Sequence, residues 1–289
     1  MDIGLQPGDV EKDEERLELT KRSNTVAIID HVPIGTYDLE AAIPVYSAVC
    51  GAEPGRYTSA DGTTKLARFY LGEAMVELME PIGKPSQGMG AAVRRRLEQA
   101  GPGVHLICLP GEDPAATAEI LTSHGARVFE LDGHRYVHPK SANGVLIQLT
   151  PRREFEPLPA SGDAHFDHIA IAVKDIDQAC ENWTIILGSP PETKGPHPLG
   201  TFDAARFLLG DRMIELVSPR PGIDSAVSQR IDSKGEGVIA LALVAPDLDR
   251  TLERVRAANA RAIWREPHWF AHPKDAAGVL IQLTPRVEH

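Results

Sequence analysis

The sequence is poor in cysteine and in positive charge, and it has no long apolar run. The cysteines, Cys50, Cys108 and Cys180, are three among 289 residues and lie in apolar segments, which argues against a disulfide framework or a zinc knuckle. The formal net charge of −11 argues against nucleic acid or an anionic membrane as the main partner, because both attract basic proteins. Without a membrane-spanning run or the layout of a secretion signal, we expect a globular protein of the cytoplasm.

A long internal repeat is present instead. The segment His138–Arg152 returns as His272–Arg286, 134 residues later, with few changes over fifteen positions. Each copy reads as a turn of small and polar residues followed by a short strand that ends at Thr-Pro. Upstream, Ile29–Ile34 matches Phe166–Ile171, and Met75–Pro81 matches Met213–Pro219. The chain is therefore a tandem duplication, and looking for such repeats early prevents a wrong fold assignment.

The repeat boundaries predict the domain organisation. A highly charged N-terminal arm without a partner in the second half covers residues 1–24. We expect a first domain over 25–150, a proline-rich linker over 151–165 and a second domain over 166–289.

The hydrophobic pattern within the first half predicts an α+β fold made of two β-α-β-β-β modules. The expected elements of the first module are a strand at Thr25–Val32, a helix at Tyr37–Val49, and strands at Thr64–Leu71 and Ala74–Met79 around a two-residue turn. A strand at Val104–Leu109 and a helix at Asp113–His124 begin the second module, and a helix within Lys84–Ala100 joins the two. The second half repeats this plan.

The positions of a few polar residues resemble one known family. The order His31, Glu77, His105 and a final Gly-Val-Leu-Ile-Gln-Leu strand, with His-Pro-Lys just before it, resembles the vicinal-oxygen-chelate superfamily, which includes glyoxalase I, methylmalonyl-CoA epimerase and the extradiol dioxygenases. The stretch from Pro81 to His105 looks most like the epimerase branch. The resemblance implies two tandem glyoxalase-like domains, in which paired modules form a cup-shaped β-sheet around a divalent metal ion.

His31, Glu77 and His105 are the predicted metal ligands of the first domain. Imidazole nitrogen and carboxylate oxygen suit borderline divalent metals, so we expect Zn, Co, Ni, Mn or Fe here. Such an ion would polarise a substrate carbonyl and stabilise an enediolate as it forms.

The closing strand departs from the family pattern. The resemblance implies a glutamate where this chain has Gln148, and an amide cannot accept a proton near pH 7. Gln148 is predicted at the catalytic site as a ligand or lining residue, and the role of general base passes to another group or is absent. The candidates are Glu80, Asp61 and His138, of which His138 is better explained as a turn residue.

The second domain is expected to hold a depleted site. His168 and Glu215 match the first two ligands and Gln282 matches the glutamine, but Ile239 replaces the second histidine. Two strong ligands and an amide make a poor metal site. We expect a cup without metal that binds a ligand, stabilises the fold or supplies a wall to the first site, with His168, Glu215 and Gln282 as a possible second site.

Three functions remain open from the sequence. The first is a metal-dependent isomerase, epimerase or lyase acting on a small 2-oxo acid or an acyl-CoA thioester. The second is a non-catalytic small-molecule binding or resistance protein of the same fold, and the third is an extradiol-type dioxygenase. The run Arg94-Arg95-Arg96 is read as a solvated helix face, with the alternative that it holds a phosphate or carboxylate. A small-molecule substrate is the expected partner, and a homodimer is possible.

Overall fold

The computed structural model describes residues 28–152 and 162–285. The predicted N-terminal arm and most of the predicted linker lie outside the described residues. Within them, no helix is both long enough and apolar enough to cross a membrane.

The first domain contains two modules of the predicted kind. In chain order its elements are β1 (His31–Gly35), α1 (Leu39–Cys50), β2 (Gly55–Thr58), β3 (Thr64–Leu71), β4 (Ala74–Pro81), α2 (Gly88–Ala100), β5 (Gly103–Val104), β6 (Ile107–Gly111), α3 (Pro114–Ser123), β7 (Val128–Leu131), β8 (His134–Val137), a 3₁₀ turn (Pro139–Ser141) and β9 (Ile147–Pro151). The strands form one sheet in the order β2-β3-β4-β1-β6-β9-β8-β7, and the short β5 pairs with β1. Strand β1 is parallel to β4, β6 is parallel to β9, and β1 and β6 meet antiparallel at the centre.

The second domain repeats this order. Its elements are β10 (His165–Ala172), α4 (Ile176–Leu187), β11 (Thr193–Pro196), β12 (Phe202–Leu209), β13 (Arg212–Pro219), α5 (Ala226–Lys234), β14 (Gly237–Val244), α6 (Leu248–Ala257), β15 (Ala262–Arg265), β16 (His268–Ala271) and β17 (Leu280–Thr284). The sheet order β11-β12-β13-β10-β14-β17-β16-β15 corresponds strand for strand to that of the first domain. The predicted α+β fold of two tandem domains is confirmed.

Local sequence signals explain where the helices begin. Asp38 caps α1 by accepting a hydrogen bond from the Ala41 amide at 2.9 Å, and Asp113 caps α3 by accepting from the Ala115 amide at 2.8 Å. Helix α1 ends at Gly51, whose φ of +69° favours glycine. These helices match the predictions to within about two residues, which is the usual uncertainty of helix ends.

The two domains share one hydrophobic core. A single cluster of buried side chains runs from Ile29 in the first domain to Leu283 in the second. Helices α1 and α6 pack against each other, and the Tyr46 hydroxyl donates to the Ala276 carbonyl at 3.2 Å. Arg254 of α6 donates from Nε to the Ala48 carbonyl of α1 at 3.0 Å. The duplicated halves are therefore packed as one unit.

One predicted strand is interrupted. The expected strand Val104–Leu109 is divided into β5 and β6, because Val104 pairs with Ile34 whereas Cys108 pairs with His31. Between these two pairs, the segment that contains β5 and β6 has one more residue than β1, and this extra residue is a β-bulge. Strand β1 itself begins at His31, later than the predicted start at residue 25, and residues 25–27 lie outside the described part.

Candidate functional site

The polar residues of the first domain lie on one face of its sheet, called here the inner face. Along β4, Val76 and Leu78 belong to the shared core, so the intervening Glu77 points to the opposite side. The same alternation in β6 and β9 sends Cys108 and Gln148 to the inner face, because Ile107, Leu109, Ile147 and Leu149 are core residues. His31 joins them from β1, where it pairs with Cys108.

Asp30 and three of the inner-face side chains form a chain of contacts. Asp30 Oδ2 lies 2.5 Å from His31 Nδ1, and His31 Nε2 lies 3.1 Å from Cys108 Sγ. Cys108 Sγ also lies 3.5 Å from Gln148 Oε1. Asp30, His31 and Cys108 are all buried. A thiol, an imidazole and a carboxylate in this sequence are the arrangement that activates a cysteine for proton transfer or nucleophilic attack.

The carboxylate determines which imidazole nitrogen faces the thiol. When Nδ1 of His31 carries the proton donated to Asp30, Nε2 presents a lone pair toward Cys108. In this tautomer the imidazole is placed to accept the thiol proton, and the buried carboxylate is placed to stabilise an imidazolium.

Glu77 is bound by an arginine. Its Oε1 accepts a hydrogen bond from Arg68 Nε at 2.7 Å, and Glu77 is buried while Arg68 is partly exposed. The two residues are directly opposite each other in the pairing of β3 with β4. Part of the coordination capacity of this carboxylate is therefore already used by a cation of the protein.

His105 stands at the bulge and does not join this group. Its backbone amide donates to the Pro33 carbonyl at 2.8 Å, and its Nδ1 is buried without a hydrogen-bond partner in the described residues. Burial, followed by the charge of Arg96, lowers the pKa of His105 to about 4. The ring is therefore neutral at pH 7.

The internal symmetry of the domain explains why the third predicted ligand is displaced. Pro33 pairs with Glu77 in the first module, and Cys108 pairs with Gln148 in the second. His31 lies two residues before Pro33, and the residue two before Cys108 is Leu106. The structural counterpart of His31 is therefore a buried leucine, and the neighbouring histidine is the extra residue of the bulge.

The donor set does not fit the predicted divalent metal. Over residues 28–152 and 162–285, no three His, Cys, Asp or Glu side chains come together as a metal site would require. Leu106 stands where a third strong ligand would be needed, and Arg68 neutralises Glu77. The structure does not assemble the predicted triad of His31, Glu77 and His105.

The proposed general bases of the sequence are also placed elsewhere. Glu80 accepts hydrogen bonds from the Leu39 amide at 2.8 Å and from Lys65 at 2.8 Å, so it holds the start of α1 on the far side of the sheet from Glu77. Asp61 binds Ser59, Thr63 and the Met89 amide, and the bond from Ser59 is the main reason that its pKa lies well below the usual range. His138 accepts from the Lys140 amide at 3.1 Å, which is the predicted turn role.

The second domain keeps the frame of this site but not the thiol. Asp167 contacts His168 Nδ1 at 2.8 Å, and Arg206 binds Glu215 at 2.9 Å. His168 pairs with Ala242, which pairs with Gln282, so an alanine stands where the first domain has Cys108. His168 Nε2 lies 4.0 Å from Glu215 Oε2 instead. His168, Glu215 and Gln282 remain a possible second site, but one without a nucleophile.

Tyr136 completes the first-domain site. It pairs with Gln148 across β8 and β9, and its ring stacks on Phe129 with centroids 5.3 Å apart. Burial, with a smaller contribution from the nearby Cys108, raises the pKa of the Tyr136 hydroxyl. The phenol is therefore protonated near neutral pH and available as a hydrogen-bond donor.

Sequence reasoning missed Cys108 and Asp30. The Asp-His pair occurs in both repeats. Cys108 lies two residues after position 106, the counterpart of His31, so alternation along β6 places Cys108 on the same face as that position. These signals were present, but the bulge at His105 shifts the alternation by one residue and hides them.

Comparison with known proteins agrees with this architecture. The family model described as the Glyoxalase/Bleomycin resistance protein/Dioxygenase superfamily matches twice, over residues 30–142 and 167–277. The chain belongs to this superfamily, with one copy of the family domain in each half.

The individual relatives are enzymes. The chain is 33% identical over 133 residues to ethylmalonyl-CoA/methylmalonyl-CoA epimerase of Cereibacter sphaeroides, a match that covers 42% of this chain and 95% of the relative. It is 27% identical over 126 residues to the mitochondrial methylmalonyl-CoA epimerase of Homo sapiens, covering 40% of this chain and 71% of the relative. A triple mutant of 4-hydroxymandelate synthase from Streptomyces coelicolor superposes with a TM-score of 0.67 at 16% identity, over 89% of this chain and 91% of that one, which supports the fold alone.

Proposed function

We propose that the first domain is an isomerase or epimerase that moves a proton on the carbon next to the carbonyl of an acyl thioester, and that Cys108 and His31 carry the proton. The contact chain from Asp30 through His31 to Cys108 is the observation on which this proposal depends. The reaction type and substrate class are those named in the epimerase relatives.

The proton-transfer steps follow from the geometry. Cys108 gives its proton to Nε2 of His31, and Asp30 stabilises the resulting imidazolium. The thiolate then takes the proton from the carbon next to the thioester carbonyl, and the electron pair of the broken C–H bond moves to the carbonyl oxygen as an enolate. The planar enolate then turns its opposite face toward Cys108, the thiol returns its proton to the carbon and so inverts it, and the imidazolium gives its proton back to the thiolate.

The enolate needs a donor that is protonated at neutral pH. Tyr136 is the candidate because its pKa is raised and because it lies beside Cys108 and Gln148. A preorganised donor at the atom where negative charge develops is among the largest catalytic contributions an enzyme makes. In this proposal Gln148 orients the thiol and Glu77 with Arg68 forms the adjacent wall.

Deuterium exchange tests the proposal directly. The purified protein is incubated in D₂O with methylmalonyl-CoA or ethylmalonyl-CoA, and the proton next to the thioester carbonyl is followed by NMR. Loss of a general acid or base costs about 10²- to 10⁴-fold in rate, so Cys108→Ala and His31→Ala should both lose exchange by at least about 100-fold. Exchange at the wild-type rate in Cys108→Ala would show that the thiol is not the acid or base.

Two controls separate the site from the fold. Cys180→Ala removes another buried cysteine and His168→Ala alters the second-domain counterpart of His31, and both should exchange at the wild-type rate. Treatment with a chelator should leave exchange unchanged, because no step uses a metal. Exchange that stops on chelation and returns with one divalent ion would contradict the thiol mechanism and restore the metal hypothesis.

A further inference from the structure

A cavity lies between the two domains, next to the first-domain site. It has a volume of about 910 Å³ and lies between α2 of the first domain and α5 of the second. Its walls come from equivalent positions of the two repeats, so the cavity follows the internal symmetry of the chain. Leu106 and Tyr136 line it on the first-domain side. We call it the interdomain cavity.

The interdomain cavity is basic although the chain is acidic. The net charge of the chain is −11, yet the cavity wall carries one carboxylate and five cationic side chains, Arg95, Arg96, Arg230, Lys234 and Arg265. The carboxylate, Glu236, already accepts hydrogen bonds from Asn143 at 3.1 Å and from the Lys174 amide at 2.8 Å. The positive charge of the cavity is therefore not balanced by the protein groups that line it.

Arg96 and Arg230 are the symmetric pair at its centre. Arg96 donates to the carbonyls of Gly101 at 2.8 Å and Val104 at 3.3 Å, and Arg230 donates to the carbonyl of Gly235. Burial lowers the pKa of both guanidinium groups, and the charge of Arg96 further lowers that of Arg230. Backbone carbonyls thus hold two like charges in the wall of one cavity, and no carboxylate among the described residues accepts a hydrogen bond from either.

Two glycines make room for this arrangement. A Cβ built on Gly103 would lie 3.3 Å from an Arg96 nitrogen, and one on Gly237 would lie 3.1 Å from an Arg230 nitrogen. Both glycines have positive φ, at +148° and +134°. His105, whose Nδ1 is buried without a partner in the described residues, is on the same wall. The wall therefore offers a neutral ring nitrogen beside the two cations.

We infer that the interdomain cavity binds a phosphorylated organic anion of about nucleotide size, held between Arg96 and Arg230. Guanidinium groups recognise phosphate by paired hydrogen bonds, and an anion that bridges two of them offsets the repulsion between their charges. The volume lies within the range of small-molecule sites, and Phe129, Leu131 and Ile263 provide apolar wall surface for a ring.

Calorimetric titration of the whole chain with inorganic pyrophosphate and with ADP tests this inference. The wild-type protein should bind ADP, and binding should weaken as salt is raised, because phosphate contacts are screened. Arg96→Gln and Arg230→Gln should each weaken binding by at least about tenfold, the usual effect of losing a charge-assisted hydrogen bond. Arg94→Gln is the matched control, since Arg94 is on the same helix but contacts Glu98 at 3.6 Å and does not line the cavity.

A second pair of variants covers the case in which a buried arginine is needed for folding. Arg95 and Lys234 line the cavity from exposed positions, so Arg95→Gln with Lys234→Gln should fold normally and still reduce ADP affinity. Absence of ADP and pyrophosphate binding by the wild-type protein, or equal binding by the arginine variants and the control, would overturn the inference.

Further titrations identify the source of the anion. Coenzyme A that competes with ADP would identify the ligand as the nucleotide end of a thioester substrate, whereas ADP binding unaffected by coenzyme A would identify a separate effector. Cys108→Ala should bind ADP as the wild type does, so loss of deuterium exchange in that variant leaves this inference standing.

Discussion

His105 provides a quantitative test of where the bulge places the predicted ligand. Isoleucine, the residue at the equivalent position 239, replaces the imidazole with an apolar side chain of similar size at the bulge. A metal ligand would be essential for proton transfer, whereas a half-buried neutral histidine outside the catalytic contacts would not be. His105→Ile should therefore lose proton transfer if His105 is a metal ligand and keep it if His105 is not.

The magnitude follows from the pKa of His105. Burial lowers it from 6.5 to about 4, so between these pH values the unfolded chain binds more protons than the folded chain. The free energy of unfolding therefore falls as pH falls through this window and is constant again below it. At about 1.4 kcal/mol per pH unit, the total loss is at most about 3 kcal/mol.

Urea denaturation between pH 4 and pH 8 is the assay. His105→Ile should be at least as stable as the wild type at pH 7.5, because it removes a buried nitrogen that lacks a hydrogen-bond partner. The difference in free energy of unfolding between the two proteins should then grow in favour of the variant, by up to about 3 kcal/mol, as pH falls to 4. A difference that does not change with pH, or a strongly destabilised variant, would refute this placement of His105.

Two further predictions concern the contact between the domains. Gly144→Ala should lower the free energy of unfolding by more than about 2 kcal/mol, because the added Cβ would lie 2.4 Å from the Glu236 carbonyl oxygen at a φ of +82°. Gly125→Ala is the control, because Gly125 has a φ of +85° but open space around it, and it should cost only about 1 kcal/mol. Equal effects of the two variants in chemical denaturation would contradict the close approach of Gly144 to Glu236. A double-mutant cycle between Arg254 and Asp163 should give a coupling of about 1 to 2 kcal/mol, because the pair is bidentate and partly buried and holds Arg254 where its Nε donates to the Ala48 carbonyl of the first domain at 3.0 Å; a coupling near zero would show that the ion pair does not position this contact.

The sequence by itself determined the duplication, the two-module plan of each domain and most of the helices. The match of His138–Arg152 with His272–Arg286 needs no structure, because near-identical segments at one spacing imply a repeated fold. Helix α1 was predictable from its apolar periodicity, and Asp113 marks the start of α3 because a carboxylate there accepts the free backbone amides of the first turn.

Site membership depended on strand register, which the tertiary structure alone decided. A one-residue bulge reverses which side chains face the inner side of a sheet, and nothing local in Val104–Leu109 reveals it. The bulge removes His105 from the predicted triad, puts Leu106 opposite His31 in the internal symmetry, and brings Cys108 to the imidazole.

The interdomain cavity was equally out of reach of the sequence. Arg96 was visible in the basic run at 94–96, but its partner Arg230 lies 134 residues away. Only the packing of the two repeats brings these charges to one cavity, because contacts between distant segments are set by the folded core and leave no mark on local periodicity.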